Sequence, residues 1–85
     1  MRRATGRYWR CYRQLPGSVR KNADKAFDLL HENPRHPSLR FKPIGKFWSV
    51  RIGVAYRAIA AADGDDYIWV WIGHPDEYDR LIRER

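Results

Sequence analysis

Residues 39–73 have the sequence LRFKPIGKFWSVRIGVAYRAIAAADGDDYIWVWIG, in which apolar and polar side chains alternate in four short segments. The segments span residues 39–44, 47–52, 54–61 and 66–73, and their many β-branched and aromatic residues favour strands. The breaks between them are short and carry Gly45, Gly53 and Gly64. Because a parallel crossover needs about a dozen residues, these connections predict a four-stranded antiparallel meander.

The chain before this stretch shows the spacing of two helices. Residues 7–14 form a short aromatic segment that ends at the LPG turn of residues 15–17, after which Ser18 can cap a longer helix. Apolar side chains recur in that helix at helical intervals, and Pro34 ends it. The sequence therefore predicts an α+β fold, in which an N-terminal helix hairpin packs on the sheet and a short C-terminal helix spans 75–83.

The chain length and the net charge limit the size of the protein and the kinds of partner that it can bind. Its 85 residues fit one domain, 1–85, in which residues 1–6 are expected to be frayed. Seventeen Lys and Arg against ten Asp and Glu give a formal net charge of +7, and thirteen of these cations are arginine. Arginine binds phosphate and carboxylate groups in bidentate geometry, which favours a nucleic acid or an acidic protein as partner. General solubility would also account for the charge.

Other classes of protein are disfavoured by what the sequence does not contain. The single cysteine, Cys11, excludes an internal disulfide and favours a reducing compartment. No apolar run approaches the roughly 20 residues of a membrane span, and the N-terminus has no apolar segment typical of a secretion signal. We therefore expect a cytoplasmic protein with no membrane partner. His31, His36 and His74 lack the spacing of metal ligands, so neither a metal nor another cofactor is expected.

Strand alternation assigns side chains to the two faces of the predicted sheet. The helix hairpin is expected to cover an apolar face formed by Phe41, Val50, Ile52, Ala58, Val70 and Ile72. The opposite face then collects Arg40, Lys42, Ser49, Arg51, Arg57, Trp69 and Trp71. Cations neutralise phosphates and aromatic rings stack on unpaired bases, so this face is a candidate RNA-binding surface. Alternatively, the tryptophans pack under the C-terminal helix and the arginines form a solvated rim.

Several motifs resemble the RelE/ParE superfamily of bacterial toxin–antitoxin toxins. They are HPSLRFKPIG at 36–45, WSVRIG at 48–53, YRAIA at 56–60 and YIWVWIGHPDEYDRLI at 67–82. The RYW motif at 7–9 and the LP turn look like those of the RelE-like branch. The resemblance implies a helix hairpin on an antiparallel sheet with a C-terminal helix. The short N-terminal strand that is common in the family is not visible in the sequence.

The resemblance also implies a function. RelE-like members are ribosome-dependent mRNA endonucleases that a cognate antitoxin holds inactive, whereas ParE-like members inhibit DNA gyrase. The implied partners are therefore a cognate antitoxin, mRNA and the ribosome. A gyrase inhibitor without enzymatic activity, or an inactive binding protein with the same fold, remains the alternative.

Individual residues match or depart from the family's pattern. Arg57 matches an arginine that contacts the reacting phosphate in the family. Two lysines of the family correspond to Ser49 and Arg51, so one cation is missing. The family often has His or Arg two residues after the last strand's glycine, where this chain has Pro75, and His74 lies one residue earlier. These departures make an altered or absent activity an open alternative.

Metal-independent RNA cleavage uses the substrate's own 2′-OH as the nucleophile, and the protein must move protons and stabilise charge on the phosphate. We assign charge stabilisation to Arg51 and Arg57. We assign proton transfer to His74, because imidazole can give and take a proton near neutral pH. Tyr78 is a further candidate for contact with RNA, by stacking on a base or by proton transfer. A surface role for His74 and a packing role for Tyr78 are the alternatives.

Overall fold

The computed structural model describes residues 3–74 and Asp76. Helix α1 spans Gly6–Arg13, helix α2 spans Gly17–Glu32, and a short 3-10 helix covers Pro37–Leu39. The strands are β1, Lys42–Ile44; β2, Phe47–Ile52; β3, Tyr56–Asp63; and β4, Asp66–Gly73. They form an antiparallel sheet in the order β1-β2-β3-β4, which confirms the predicted α+β fold. The predicted C-terminal helix, 75–83, lies outside the described residues apart from Asp76.

The two helices begin in different ways. The Thr5 side chain accepts a hydrogen bond from the Tyr8 backbone N–H at 3.2 Å and so caps α1. Pro16 occupies the capping position of α2 and makes no side-chain hydrogen bond there, so the prediction that Ser18 caps this helix is wrong. Proline suits this position because it needs no backbone donor and its fixed φ leads the chain into the helix.

Glycine closes the two shortest hairpins of the sheet. The loops Gly45-Lys46 and Gly64-Asp65 each hold two residues, and their glycines have φ values of 57° and 61°. A positive φ at the first of two loop residues is what a type II′ turn requires, and this turn matches the twist of antiparallel strands. The local sequence thus fixes which strands are neighbours.

The core lies between the helices and one face of the sheet. Phe27 of α2 packs edge-on against Trp69 of β4, with ring centroids 4.7 Å apart, and against Tyr8 of α1 at 6.1 Å. The other members of this buried cluster are Leu15, Ala23, Ala26, Leu39, Val50, Ile52, Ala58, Ala60 and Ile72. One aromatic side chain therefore joins both helices to the last strand.

A β-bulge in β4 interrupts the alternation from which the two faces were predicted. Ile59 pairs with Trp71, whereas Ala60 pairs with Trp69, so Val70 is an extra residue in β4. As a result, Trp69 belongs to the core beneath the helices and Trp71 lies on the opposite face. The prediction that Trp69 shares the face of Trp71 is therefore wrong.

Residues 3–5 pair with the outer edge of β4. The Trp69 N–H donates to the Arg3 carbonyl at 2.9 Å, and the Thr5 N–H donates to the Trp69 carbonyl at 3.0 Å. These bonds form a parallel bridge between Ala4 and Trp69. The expectation of a frayed start is therefore wrong for residues 3–5, which form an isolated bridge and no strand.

Ion pairs fix the start of the chain to the β3–β4 hairpin. Arg3 contacts Asp63 at 2.6 Å and Asp66 at 3.3 Å. The Tyr67 backbone N–H, which donates to Asp66 at 2.8 Å, and the Arg3 guanidinium hold the pKa of the Asp66 carboxyl below its usual value of 3.8. Asp66 therefore remains ionised to lower pH in the folded chain than in the unfolded chain.

This shift predicts a pH dependence of stability. A carboxyl whose pKa is lowered by folding stabilises the fold above its unfolded-state pKa and loses that contribution as the pH falls through the folded-state pKa. Wild type should therefore exceed Asp66→Asn in urea midpoint at neutral pH, and the difference should shrink as the pH is lowered from about 6 to about 2. A difference that stays constant over this range would contradict the role of Asp66.

No helix within the described ranges is both long enough and apolar enough to cross a membrane.

Candidate RNA-binding site

Two arginines lie side by side on the face of the sheet opposite the helices. Arg51 of β2 and Arg57 of β3 are direct partners in the antiparallel ladder, which places their Cβ atoms about 5 Å apart. Their neighbours Val50, Ile52 and Ala58 point into the core, so both arginines point away from it. Both side chains are partly exposed. Arg51 and Arg57 are called the arginine pair below.

Backbone carbonyls hold both guanidinium groups. Arg51 Nε donates to the Gly53 carbonyl at 2.9 Å, and Arg57 Nη1 donates to the Tyr56 carbonyl at 2.9 Å. Among residues 3–74 and Asp76, neither arginine forms an ion pair with a carboxylate. Two adjacent cations without an anionic partner create a local positive potential, which attracts a phosphate group.

The other two cations predicted for this face differ in position. Lys42 pairs with Ser49, which lies two residues before Arg51 in β2, so Lys42 shares the face of the arginine pair. Arg40 follows the 3-10 helix in a left-handed conformation, with φ of 47°, and lies outside the strands. Its placement on the sheet by alternation is therefore wrong, because residues 37–39 form a helical turn instead of the start of a strand.

Three of the side chains predicted to bind RNA are buried. Ser49 and Trp71 lie in one row across the sheet with Ile59, on the face of the arginine pair, and are each only 2% exposed. Trp69, in the core on the other face, is 4% exposed. A buried ring cannot stack on a base, so the prediction of an exposed polar and aromatic RNA-binding surface at these positions is wrong. Tyr78 lies outside the described residues.

The Trp71 indole lies close over Gly73 in the same strand. A Cβ atom added at Gly73 would lie 2.7 Å from Cζ2 of Trp71. We expect Gly73→Ala to displace the indole and to lower the free energy of unfolding by about 1–3 kcal/mol, measured by urea denaturation. Gly6→Ala is the control, because a Cβ there meets nothing within 4 Å. Equal stability of the two variants would contradict this packing.

His74 follows the last strand at the same end of the sheet as the arginine pair, since the preceding Gly73 is the partner of Arg57. Its ring packs edge-on against Tyr56, whose side chain contacts the core, with centroids 5.8 Å apart. Nδ1 accepts a hydrogen bond from the Asp76 backbone N–H at 3.3 Å, which places the proton of the neutral ring on Nε2. His74 is thus a half-exposed donor on the helix side of this end of the sheet, across from the arginine pair.

Tyr56 is a member of the site that sequence reasoning missed. It precedes Arg57, supplies the carbonyl that holds the Arg57 guanidinium, and packs against His74. The pairing of β3 with β4, in which Arg57 is the partner of Gly73, brings Tyr56 to His74. The sequence signal that could have indicated Tyr56 is its position directly before Arg57, the arginine that matches the family's pattern.

The described part of the chain contains no cluster of three His, Cys, Asp or Glu residues that could hold a metal ion.

Comparisons with known proteins place this geometry among known folds. The sequence matches no protein-family model and no curated protein sequence. The structure is similar to the RelB–RelE antitoxin–toxin complex from Methanococcus jannaschii, with a TM-score of 0.73, 17% identity, and coverage of 93% of this chain and 96% of that one. YafQ from E. coli strain BL21(DE3) has a TM-score of 0.73 at 10% identity, over 92% and 98% of the two chains.

A third similar structure is the YoeB/ParE toxin from Agrobacterium tumefaciens, with a TM-score of 0.65, 14% identity, and coverage of 87% of this chain and 98% of that one. Identities this low show the fold alone. The described elements, their order and these similarities together show that the chain has the fold of the RelE-like toxins of toxin–antitoxin systems.

Proposed function

We propose that this chain is the toxin of a toxin–antitoxin system and that it cleaves mRNA on the ribosome without a metal ion. The arginine pair is the observation that supports this most, because it presents two adjacent, partly exposed cations without a carboxylate partner among the described residues. The fold adds support, since the similar structures include a toxin bound to its antitoxin. The proposed partners are mRNA, the ribosome and a cognate antitoxin.

The arginine pair would stabilise the charge that develops during cleavage. The 2′-OH of the substrate loses its proton to water and attacks the adjacent phosphorus, the bond to the 5′-oxygen breaks, and a 2′,3′-cyclic phosphate remains. Negative charge grows on the phosphate oxygens in this step, where guanidinium donors are most effective. Arg51 and Arg57 are already held by backbone carbonyls, so little reorganisation is needed when the phosphate arrives. Lys42, on the same face, would contact a neighbouring phosphate.

His74 would transfer the proton to the leaving 5′-oxygen. A neutral imidazole N–H is too weak an acid for this step, so the donor would be the protonated ring. Its Nε2–H gives the proton to the 5′-oxygen while Nδ1–H faces the Asp76 carboxylate, 3.9 Å away, and the neutral ring that remains can accept the Asp76 backbone N–H at Nδ1. Because the ring lies with Tyr56 on the helix side, the RNA backbone would have to cross the end of the sheet to reach both His74 and the arginine pair. Such a path is compatible with single-stranded mRNA, whose backbone bends freely.

A cleavage assay with purified components tests the proposal. The protein is incubated with mRNA bound in programmed ribosomes and, separately, with the same mRNA alone, and the 5′ ends of the fragments are mapped. Cuts that appear only in ribosome-bound mRNA are expected. Intact mRNA in both reactions, with a folded protein, would refute the proposed activity.

Inhibition of DNA gyrase without catalysis is the second candidate. The burial of Ser49 favours it, because one of the two positions that match catalytic lysines of the family then offers neither a cation nor an exposed polar group. A supercoiling assay distinguishes the candidates. Inhibited supercoiling together with intact ribosome-bound mRNA would select the gyrase inhibitor.

A further inference from the structure

A groove separates the C-terminal half of α2 from the β3–β4 hairpin. Its volume is about 880 Å³, within the range of known binding sites. Apolar side chains line its interior: Phe27, Leu30, Phe41, Tyr67 and Trp69. Phe41 and Tyr67 are partly exposed, and their rings pack edge-on with centroids 5.2 Å apart. The Trp48 ring contacts both, with its centroid 4.9 Å from that of Phe41 and 5.5 Å from that of Tyr67. The groove therefore offers an aromatic surface that a partner could cover.

Carboxylates surround this aromatic surface. The exposed acidic residues that line the groove are Asp28 and Glu32 of α2 and Asp65 and Asp66 of the hairpin. They are four of the seven acidic residues in the described part of a chain whose formal net charge is +7. Arg3 and His31 also line the groove, and the ion pairs of Arg3 with Asp63 and Asp66 leave Asp28, Glu32 and Asp65 as the groove carboxylates without an ion pair among the described residues. The groove is thus an acidic region on a basic protein.

The groove is also separate from the arginine pair. Arg57 lies at one end of β3, whereas Asp63 and its partner Asp66 lie at the other end. The six-residue separation along the strand corresponds to about 20 Å. In addition, Tyr67 and Trp69 lie on the helix side of the sheet and the arginine pair on the opposite side. A ligand in the groove would therefore leave the arginine pair accessible.

We propose that this groove binds a segment of a protein partner in which apolar side chains alternate with arginine or lysine. Apolar side chains of such a segment would cover the aromatic surface, and its cations would meet carboxylates and ring faces. A nucleic acid is repelled by the same carboxylates. The partner is the antitoxin, and in this respect the inference rests on the proposed function. The antitoxin is then basic in this segment, even though the overall charge of the toxin favours acidic partners.

Two designed peptides test the groove with the full chain. One is a helix-forming peptide of about 15 residues with leucines on one side and arginines beside them, and the other has glutamate in place of each arginine. Binding is measured by fluorescence anisotropy, and the contact surface is mapped by amide chemical shifts. The arginine peptide should shift the amides of Phe41 and Tyr67, and the glutamate peptide should not.

Variants then test the carboxylates. Asp28→Asn/Glu32→Gln should weaken binding of the arginine peptide on the order of tenfold. Asp24→Asn/Asp76→Asn removes the same charge outside the groove and should leave binding unchanged. In this control, an amide oxygen at position 24 can still accept the hydrogen bond of the Tyr12 hydroxyl, which is 3.0 Å long.

Three results would overturn the proposal: no binding of the arginine peptide, amide shifts confined to other surfaces, or equal weakening by both double variants. The assay uses neither RNA nor ribosomes, and the variants keep the arginine pair. Failure of peptide binding with intact mRNA cleavage would therefore refute the groove alone. Absence of cleavage with groove-specific peptide binding would refute the nuclease alone.

Discussion

Arg57→Ala is expected to lower the rate of ribosome-dependent mRNA cleavage about a hundredfold or more. Arg57 is held by the Tyr56 carbonyl and lies opposite Arg51, so its guanidinium is positioned before the substrate arrives. Removing one such donor takes away charge stabilisation that a mobile water molecule replaces poorly. The measurement is the rate at which fragments form from ribosome-bound mRNA, with protein in excess.

Two further variants show whether the loss of cleavage rate in Arg57→Ala comes from the position of the arginine or from the change in net charge. Arg57→Lys keeps the charge but loses the planar pair of donors, so an intermediate rate is expected. Arg13→Ala removes an exposed arginine in the last turn of α1, away from the arginine pair, and should keep the wild-type rate. Equal losses in Arg57→Ala and Arg13→Ala, with both proteins folded, would contradict the assignment of Arg57.

Phe27→Ala is expected to lower the free energy of unfolding by about 3–5 kcal/mol. Phe27 is 6% exposed and contacts Tyr8 of α1 and Trp69 of β4, so its loss leaves a cavity where both helices meet the sheet. Small domains have total stabilities of about 5–15 kcal/mol, so this variant should unfold at much lower urea concentrations. Urea denaturation followed by far-UV circular dichroism measures the change.

Val54→Ala provides the comparison for this prediction. Val54 is 84% exposed in the β2–β3 loop, and its truncation should change stability by no more than about 0.5 kcal/mol. If Phe27→Ala were as stable as Val54→Ala, the packing of Phe27 on Trp69 would be contradicted. Trp69 would then be free to lie on the face opposite the helices, where the regular alternation of the strand had predicted it.

The sheet was predictable because its signals are local. Alternation within Phe47–Ile52 and Asp66–Gly73 gave the observed bounds of β2 and β4. Glycines in the two-residue loops indicated the hairpins correctly. The alternation from Val50 to Ile52 predicted that Arg51 points away from the core, as it does. The arginine pair followed from these local features once antiparallel neighbours were assumed.

The bulge at Val70 was not predictable in the same way. Residues 67–72 are apolar or aromatic at every position, so either face could accept them and no polar residue shows where the alternation slips. Ser49 and Trp71 are buried in a row with Ile59 that three different strands bring together, and the order of residues within one strand does not report such a row. Arg40 was misplaced because the turn at Pro37–Leu39 carries the same apolar spacing as a strand.

The pairing of residues 3–5 with β4 has a consequence for how the chain matures. Arg3 and Asp66 are 63 positions apart in the sequence, so residues 3–5 find their partners only after β4 has been synthesised. Contacts that join distant parts of a chain slow folding, because a long loop must close first. A nascent chain in which β4 has not yet been synthesised therefore lacks this closure, and a binding protein translated alongside it has that interval in which to meet it.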